Sequence, residues 1–221
     1  MTRKRKVSKA AANHKIKQRI SRHQVRFGKI PCAKLPTRLG NFTIYGFRDL
    51  NSGEEAVALV AGKPGPRITT LVRIHSQCLT GDVFGSRRCD CGEQLEAAMK
   101  RIARARAGVL VYQQQEGRGI GLINKIHAYE LQDRGLDTVA ANEKLGFDPD
   151  LRDYRMCAEI LKYLGAVRIR LLSNNPEKVH GLEKEGISVV KRVPLEIPPN
   201  SITRNYLKVK KEKLGHILES V

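Results

Sequence analysis

The sequence predicts a layered α/β/α domain with a mixed sheet, preceded by a basic N-terminal extension. Three observations carry that expectation. From residue 31 onward, helical apolar periodicity alternates with short apolar strand-like runs. The earliest of those runs follow one another with no helix between them, which points to antiparallel strands at the start of the sheet. Most of the excess positive charge lies at one end: the chain of 221 residues carries a formal net charge of +19, and residues 1–48 hold fourteen Lys+Arg and no acid. The first carboxylate is Asp49, and the residues after 48 balance 27 basic groups against 22 acidic ones.

Each element has its own justification. Phe42 and Ile44 alternate with polar neighbours, Ala56–Val60 is a short apolar run, and Thr69–Ile74 is β-branched, so all three read as strands. Leu95, Ala98, Met99 and Ile102 fall at helical spacing, with Gly108 as the expected C′ glycine. Val109–Tyr112 reads as a buried strand, and Leu122, Ile123, Ile126 and Tyr129 mark a helix ending before Gly135. Leu151, Tyr154, Ala158, Leu161 and Leu164 mark another, stopped by Gly165. Val167–Leu172 is a strand; Asn175 and Pro176 supply an N-cap and an N1 proline for a short helix to Gly186, and Ile187–Val193 is the last strand.

At 41% hydrophobic the chain can bury a core, and no run approaches the roughly 18–20 apolar residues of a membrane span. Five cysteines, three of them within fourteen positions, argue for reduced thiols in a cytoplasmic setting and against a secreted disulfide framework. Residues 1–30 are poor in apolar side chains and read as a flexible arm; residues 31–221 read as the folded domain. The arm is open to three readings: a polyanion contact with RNA or an acidic surface, a plain solvated extension, or an organelle transit peptide.

The strongest chemical signal is Cys78-x10-Cys89-x-Cys91. Three thiolates gathered by a loop make a soft anionic pocket suited to Zn²⁺, and three ligands leave a fourth position for water. His75, Cys32 or Cys157 as a fourth ligand would make the site structural instead. The second signal is Gln115-Glu-Gly-Arg-Gly-Ile-Gly121 between a strand and a helix, where glycines permit close approach of a ligand. It lacks the Lys-Ser/Thr pair of a P-loop, and Glu116 suits the donor edge of a guanine ring. Asp148, Asp150, Arg152 and Asp153 read either as an acid-rich first helical turn or as a base beside a phosphate-handling cation. Ser173-Asn-Asn-Pro-Glu-Lys178 opens a helix after a strand and suits a phosphate or a base edge, or is a plain cap. Most of these motifs sit at strand-to-helix turns, where open α/β sheets place their ligand crevices. Together they suggest a zinc-activated water acting on a phosphorylated, ring-bearing substrate.

The segments RIHSQCLTGDVFGSRRCDCGEQLEAA, YQQQEGRGIGLINKIHAYELQDRGLDTVAAN, LGFDPDLRDYRMCAEIL and RLLSNNPEKV closely resemble GTP cyclohydrolase II, with the likeness running from about Lys34 to the C-terminal KKEKLGHIL. The resemblance implies that residues 31–221 are a catalytic domain that hydrolyses GTP to a diaminopyrimidinone ribosylamine phosphate, formate and diphosphate, opening riboflavin synthesis. It implies zinc on Cys78, Cys89 and Cys91, and Mg²⁺ with the triphosphate. GTP would be bound by Arg73, Ile74, His75, Ser76, Gln77, Gln94, Glu116, Gly117, Arg118, Thr138, Ser173 and Lys178. Asp150 matches the proton acceptor, Arg152 the arginine proposed to attack the α-phosphate, and Tyr129 a tyrosine near the site. A homodimer is implied, and a fused dihydroxybutanone-phosphate synthase domain is not expected.

The chain departs from that pattern at three places. Gln77 stands where Glu is common, which removes a charge and an acid/base group. Ser173 replaces Thr, and His127 replaces an Arg. Gln77 raises a second reading, a cyclohydrolase-like protein that stops at a formylated product or only binds nucleotide. A third reading, an RNA-associated zinc protein working through the basic arm, predicts strongly salt-dependent RNA binding.

Overall fold

A computed structural model describes residues 27–221, so the reading of the arm falls largely outside the described residues. In chain order the strands are β1 (Cys32–Thr37), β2 (Gly40–Arg48), β3 (Glu55–Gly62), β4 (Thr70–Ser76), β5 (Ala107–Gln113), β6 (Arg168–Leu172) and β7 (Ser188–Val193). The helices are α1 (Leu79–Asp82), α2 (Cys91–Ala103), α3 (Leu122–Asp133), α4 (Thr138–Lys144), α5 (Arg155–Tyr163), α6 (Pro176–Lys184) and α7 (Thr203–Leu214). The strands form one mixed sheet in the order β1-β2-β3-β5-β4-β6-β7. β1, β2, β3 and β5 pair antiparallel, whereas β5, β4, β6 and β7 run parallel, as the clustering of early strands implied.

Strand periodicity splits the core into two layers. Ala56, Ala58, Val60, Val72, Ile74, Val109, Val111, Ile169 and Leu171 face α5 and α6, meeting Met156, Ile160, Leu161 and Leu182. Their neighbours Leu59, Ala61, Leu71, Leu110 and Leu172 face the other way, against Ala98 and Ile102 of α2. Phe27 is buried edge-to-face on Phe47, ring centroids 5.2 Å apart, so the fold already includes the last residues before Pro31. No helix among the described residues is long and apolar enough to cross a membrane.

Two sequence expectations are corrected. Gly108 does not close a helix: α2 ends at Ala103 and Gly108 lies inside β5. A Cβ there would stand 2.7 Å from Ile102 Cγ2 and 2.9 Å from the Ile102 carbonyl, so the glycine serves close helix-to-strand approach. Leu151 is not helical either. The Asp150 carboxylate accepts from the backbone N–H of Arg152 at 3.1 Å and Asp153 from that of Arg155 at 2.7 Å, and these local bonds delay the helix until Arg155. Asn175 caps α6 as expected, accepting from Glu177 N at 2.9 Å ahead of Pro176.

Candidate active site

The parallel strands β4, β5 and β6 deliver their C-terminal ends to one cleft. β4 runs into Cys78 at the start of α1, β5 into the glycine-rich turn, and β6 into Ser173–Asn175. The Sγ atoms of Cys78, Cys89 and Cys91 lie within 4.8 Å of one another, Cys78 and Cys89 at 3.6 Å. Four-coordinate zinc with Zn–S near 2.3 Å needs sulfurs about 3.8 Å apart, so the donor set fits that ion. Hydrogen bonds from Cys89 and Cys91 hold the Cys78 thiol far below the usual range, while its bond to Cys78 pushes Cys89 up to about 11. The three sulfurs thus compete for one negative charge, a conflict that a divalent cation relieves.

Two glycines make the loop. A Cβ on Gly81 would lie 3.0 Å from Cys89 Sγ and 3.3 Å from Cys78 Sγ, and one on Gly92 would lie 2.3 Å from the Gly81 carbonyl oxygen. Beneath them Asp82, a residue that sequence reasoning passed over, accepts from Cys78 N at 3.0 Å and from the Tyr112 hydroxyl at 2.9 Å. It also lies 3.1 Å from His75 Nε2. His75 is stacked on Tyr112, and its burial lowers the imidazole's proton affinity. Among the described residues only the three cysteines form a metal-sized cluster. Of the other expected fourth ligands, Cys32 is exposed on β1 and the Cys157 thiol donates to Gln113 Oε1 at 2.8 Å.

The Gly117-Arg118 turn sits in the left-handed region, φ +61° at both residues. Glu116 is buried, and its carboxylate is committed inside the protein. Oε1 accepts from Lys125 Nζ at 2.7 Å and Gly117 N at 3.0 Å, and Oε2 accepts from Leu79 N at 2.7 Å. Tyr129 approaches Thr80 Oγ1 at 3.2 Å, with the Arg88 guanidinium over its ring.

The same cleft carries a wall of cations. Arg73 donates to the Leu172 carbonyl at 3.0 Å and to Gln94 Oε1 at 2.5 Å; burial brings its guanidinium down to about 10. Lys178 is buried with Nζ on the Ile74 carbonyl at 2.9 Å, and burial followed by Arg73 and Arg152 depresses it well below the usual lysine value. Arg152 is paired with Asp150 through Nε at 2.7 Å and through Nη2. Burial is the largest influence and opposes its charge, but the Asp150 hydrogen bond and the nearby Tyr154, Asp150 and Tyr206 together outweigh burial and raise the guanidinium further. Arg73 Nε and Arg118 Nη1 are buried without a hydrogen-bond partner, donors of the kind an anionic ligand satisfies.

Most of the expected site residues line this cleft: Arg73, His75, Ser76, Gln77, Gln94, Glu116, Gly117, Arg118, Thr138, Arg152, Ser173 and Lys178. Ile74 does not, since its side chain belongs to the core and only its carbonyl serves the site. Asp150 stands behind Arg152, and the Ser173 hydroxyl is engaged with the Asn175 backbone. His127 is exposed on α3 beside Glu130. The sequence reading also missed Lys125, Tyr206 and Lys210 of α7, and His216 and Leu218 just after it, all of which line the cleft. Lys210 Nζ donates to Asp90 Oδ1 at 3.0 Å, and Asp90 Oδ2 accepts from Gln94 at 2.5 Å. The preceding lysine-rich composition resembles a solvated tail, and only the returning fold reveals its inner face.

Fold and site together define an α/β protein with a three-thiolate centre at the head of a cation-walled cleft. The family described as GTP cyclohydrolase II matches residues 29–194. The chain belongs to that family of hydrolases. It is 56% identical over 186 residues to a GTP cyclohydrolase-2 of Buchnera aphidicola subsp. Acyrthosiphon pisum, covering 84% of this chain and 96% of that protein. It is 55% identical over 189 residues to a GTP cyclohydrolase-2 of Tolumonas auensis, covering 86% and 96%. A riboflavin biosynthesis protein RibBA of Endomicrobium trichonymphae is 54% identical over 187 residues, 85% of this chain but 46% of that protein. The chain therefore spans about half the length of that RibBA relative and nearly all of the two GTP cyclohydrolase-2 proteins.

Proposed function

We propose that this chain hydrolyses GTP to 2,5-diamino-6-(5-phosphoribosylamino)pyrimidin-4(3H)-one, formate and diphosphate, the entry into riboflavin synthesis, in the cytoplasm. The observation that carries the reading is one cleft holding three clustered thiols at its head and four cations on its wall, two of them with orphaned N–H groups. Cys78, Cys89 and Cys91 would hold zinc, which when bound supplies a Lewis acid and makes water a nucleophile near neutral pH. Mg²⁺ with the triphosphate and assembly as a homodimer belong to the same reading and rest on the family resemblance.

The chain's own groups divide the work. Arg73, Arg118, Arg152 and Lys178 receive the phosphates, and the charge they bring is already desolvated and aimed. Burial, then Arg73 and Arg152, disfavour the charge on Lys178, and an arriving triphosphate would favour it. Asp150 fixes Arg152 through two hydrogen bonds and holds it cationic. That favours Arg152 as an electrostatic clamp on the α-phosphate over Arg152 as a nucleophile, since a guanidinium attacks only after losing its proton. Glu116 spans the metal loop and α3, so its carboxylate frames the site as well as lining the cleft where a guanine edge would lie.

Single-turnover GTP hydrolysis with zinc and Mg²⁺, with formate, diphosphate and pyrimidine measured separately, tests the proposal. All three products should appear in step. Arg152→Lys should slow diphosphate release by about a hundredfold, the scale of losing one aimed donor. A formylated pyrimidine without formate would move the reading to an incomplete reaction and implicate Gln77; absence of any turnover would reject it.

A further inference from the structure

Lys125, on the second turn of α3, is a buried cation that neither the phosphate wall nor the thiol triad accounts for. Its Nζ lies 3.2 Å from Cys78 Sγ, 3.0 Å from Thr80 Oγ1 and 2.7 Å from Glu116 Oε1. An ammonium has three N–H bonds, and three acceptors take them all. No donor is left for a ligand, so Lys125 is not another phosphate contact. Thr80 itself is 3.7 Å from the same sulfur, which leaves Lys125 as the shorter side-chain donor to it from outside the triad.

We propose that Lys125 is the positioning residue of the thiolate centre, tuning the metal through an N–H···S hydrogen bond to Cys78. The inference rests on the metal-binding part of the proposed function. Three thiolates around a divalent cation leave one net negative charge in a buried place, and the Lys125 ammonium faces it. A hydrogen bond to a ligating sulfur draws electron density from it and fixes its direction, the usual work of groups behind a metal ligand. Glu116 completes the device: its Oε1 anchors the ammonium, and its Oε2 takes the N–H of Leu79, the residue after the ligand. One carboxylate thereby holds both the donor and the backbone of the acceptor.

Cobalt(II) in place of zinc gives a readout separate from turnover, because the energy of the thiolate-to-cobalt charge-transfer band follows the electron richness of the sulfur. In Lys125→Met that band should move to lower energy, and chelator competition should show zinc held about 10–100-fold more weakly. Since Lys125→Met leaves the buried Glu116 without its cation, Lys125→Met with Glu116→Gln is prepared alongside and read the same way should the single variant not fold. A folded variant with the wild-type band energy would overturn the role of Lys125 while leaving the metal reading intact. A wild-type chain that gives no charge-transfer band would overturn the metal reading and this inference with it.

Discussion

At Gly81 the backbone lies against two of the three sulfurs, and Gly92 lies against Gly81. Gly81→Ala would force the thiols outward by a few tenths of an ångström, so zinc retention under chelator should fall by about tenfold while the melting temperature barely changes. Gly92→Ala meets a backbone carbonyl, which cannot swing aside, and should lose both zinc and stability. Metal analysis after dialysis, with thermal melts on the same samples, separates the two cases. At this scale the cysteine triad was legible because thiols are scarce and their spacing is telling. Asp82 and Lys125 were not, since an acid in a short turn and a lysine within a helix read as surface charges until the fold buries them.

Helix α7 shows how an element outside the residues matched by the family can complete a site. Lys210 binds Asp90 with side chains 12% and 3% exposed, and Lys213 bonds Asp137, the N-cap of α4, at 2.6 Å. Burial works against the Asp90 carboxylate, but Lys210 and Gln94 outweigh it and hold it below the usual range. The stability it contributes is therefore present above the ordinary aspartate value and lost as pH falls through the lowered one. Lys210→Met should cost about 3–5 kcal/mol in urea unfolding by stranding that carboxylate, and adding Asp90→Asn should recover most of it. Failure of the second change to restore stability would remove the ion pair as the cause. The alternation of apolar runs made the central strands and α2, α3 and α5 readable, and Asn-Pro marked the start of α6 accurately. β1 contains a proline, α1 is one turn, α4 is short and α7 is dominated by lysine, so none offers a periodic apolar signature.

Across the whole molecule, the sheet gathers positive groups faster than it gathers acids at the ends of β4, β5 and β6. The fold carries that repulsion as the cause that follows burial in depressing Lys178, through Arg73 and Arg152, and His216, which burial and then Lys210 push down to about 3. A polyphosphate that binds only the folded chain should relieve it. Diphosphate at a hundred times its dissociation constant should add about 2.7 kcal/mol, seen as a higher melting temperature that falls back with added salt. An unchanged melt would mean that the wall is not an anion seat. Side chains also run in single file across this edge of the sheet, from Lys210 through Asp90, Gln94 and Arg73 to the Leu172 carbonyl. Each link in that file holds the next in place. A seat built in this way leaves little ordering to be done on entry, so discrimination between guests should fall at the moment of encounter.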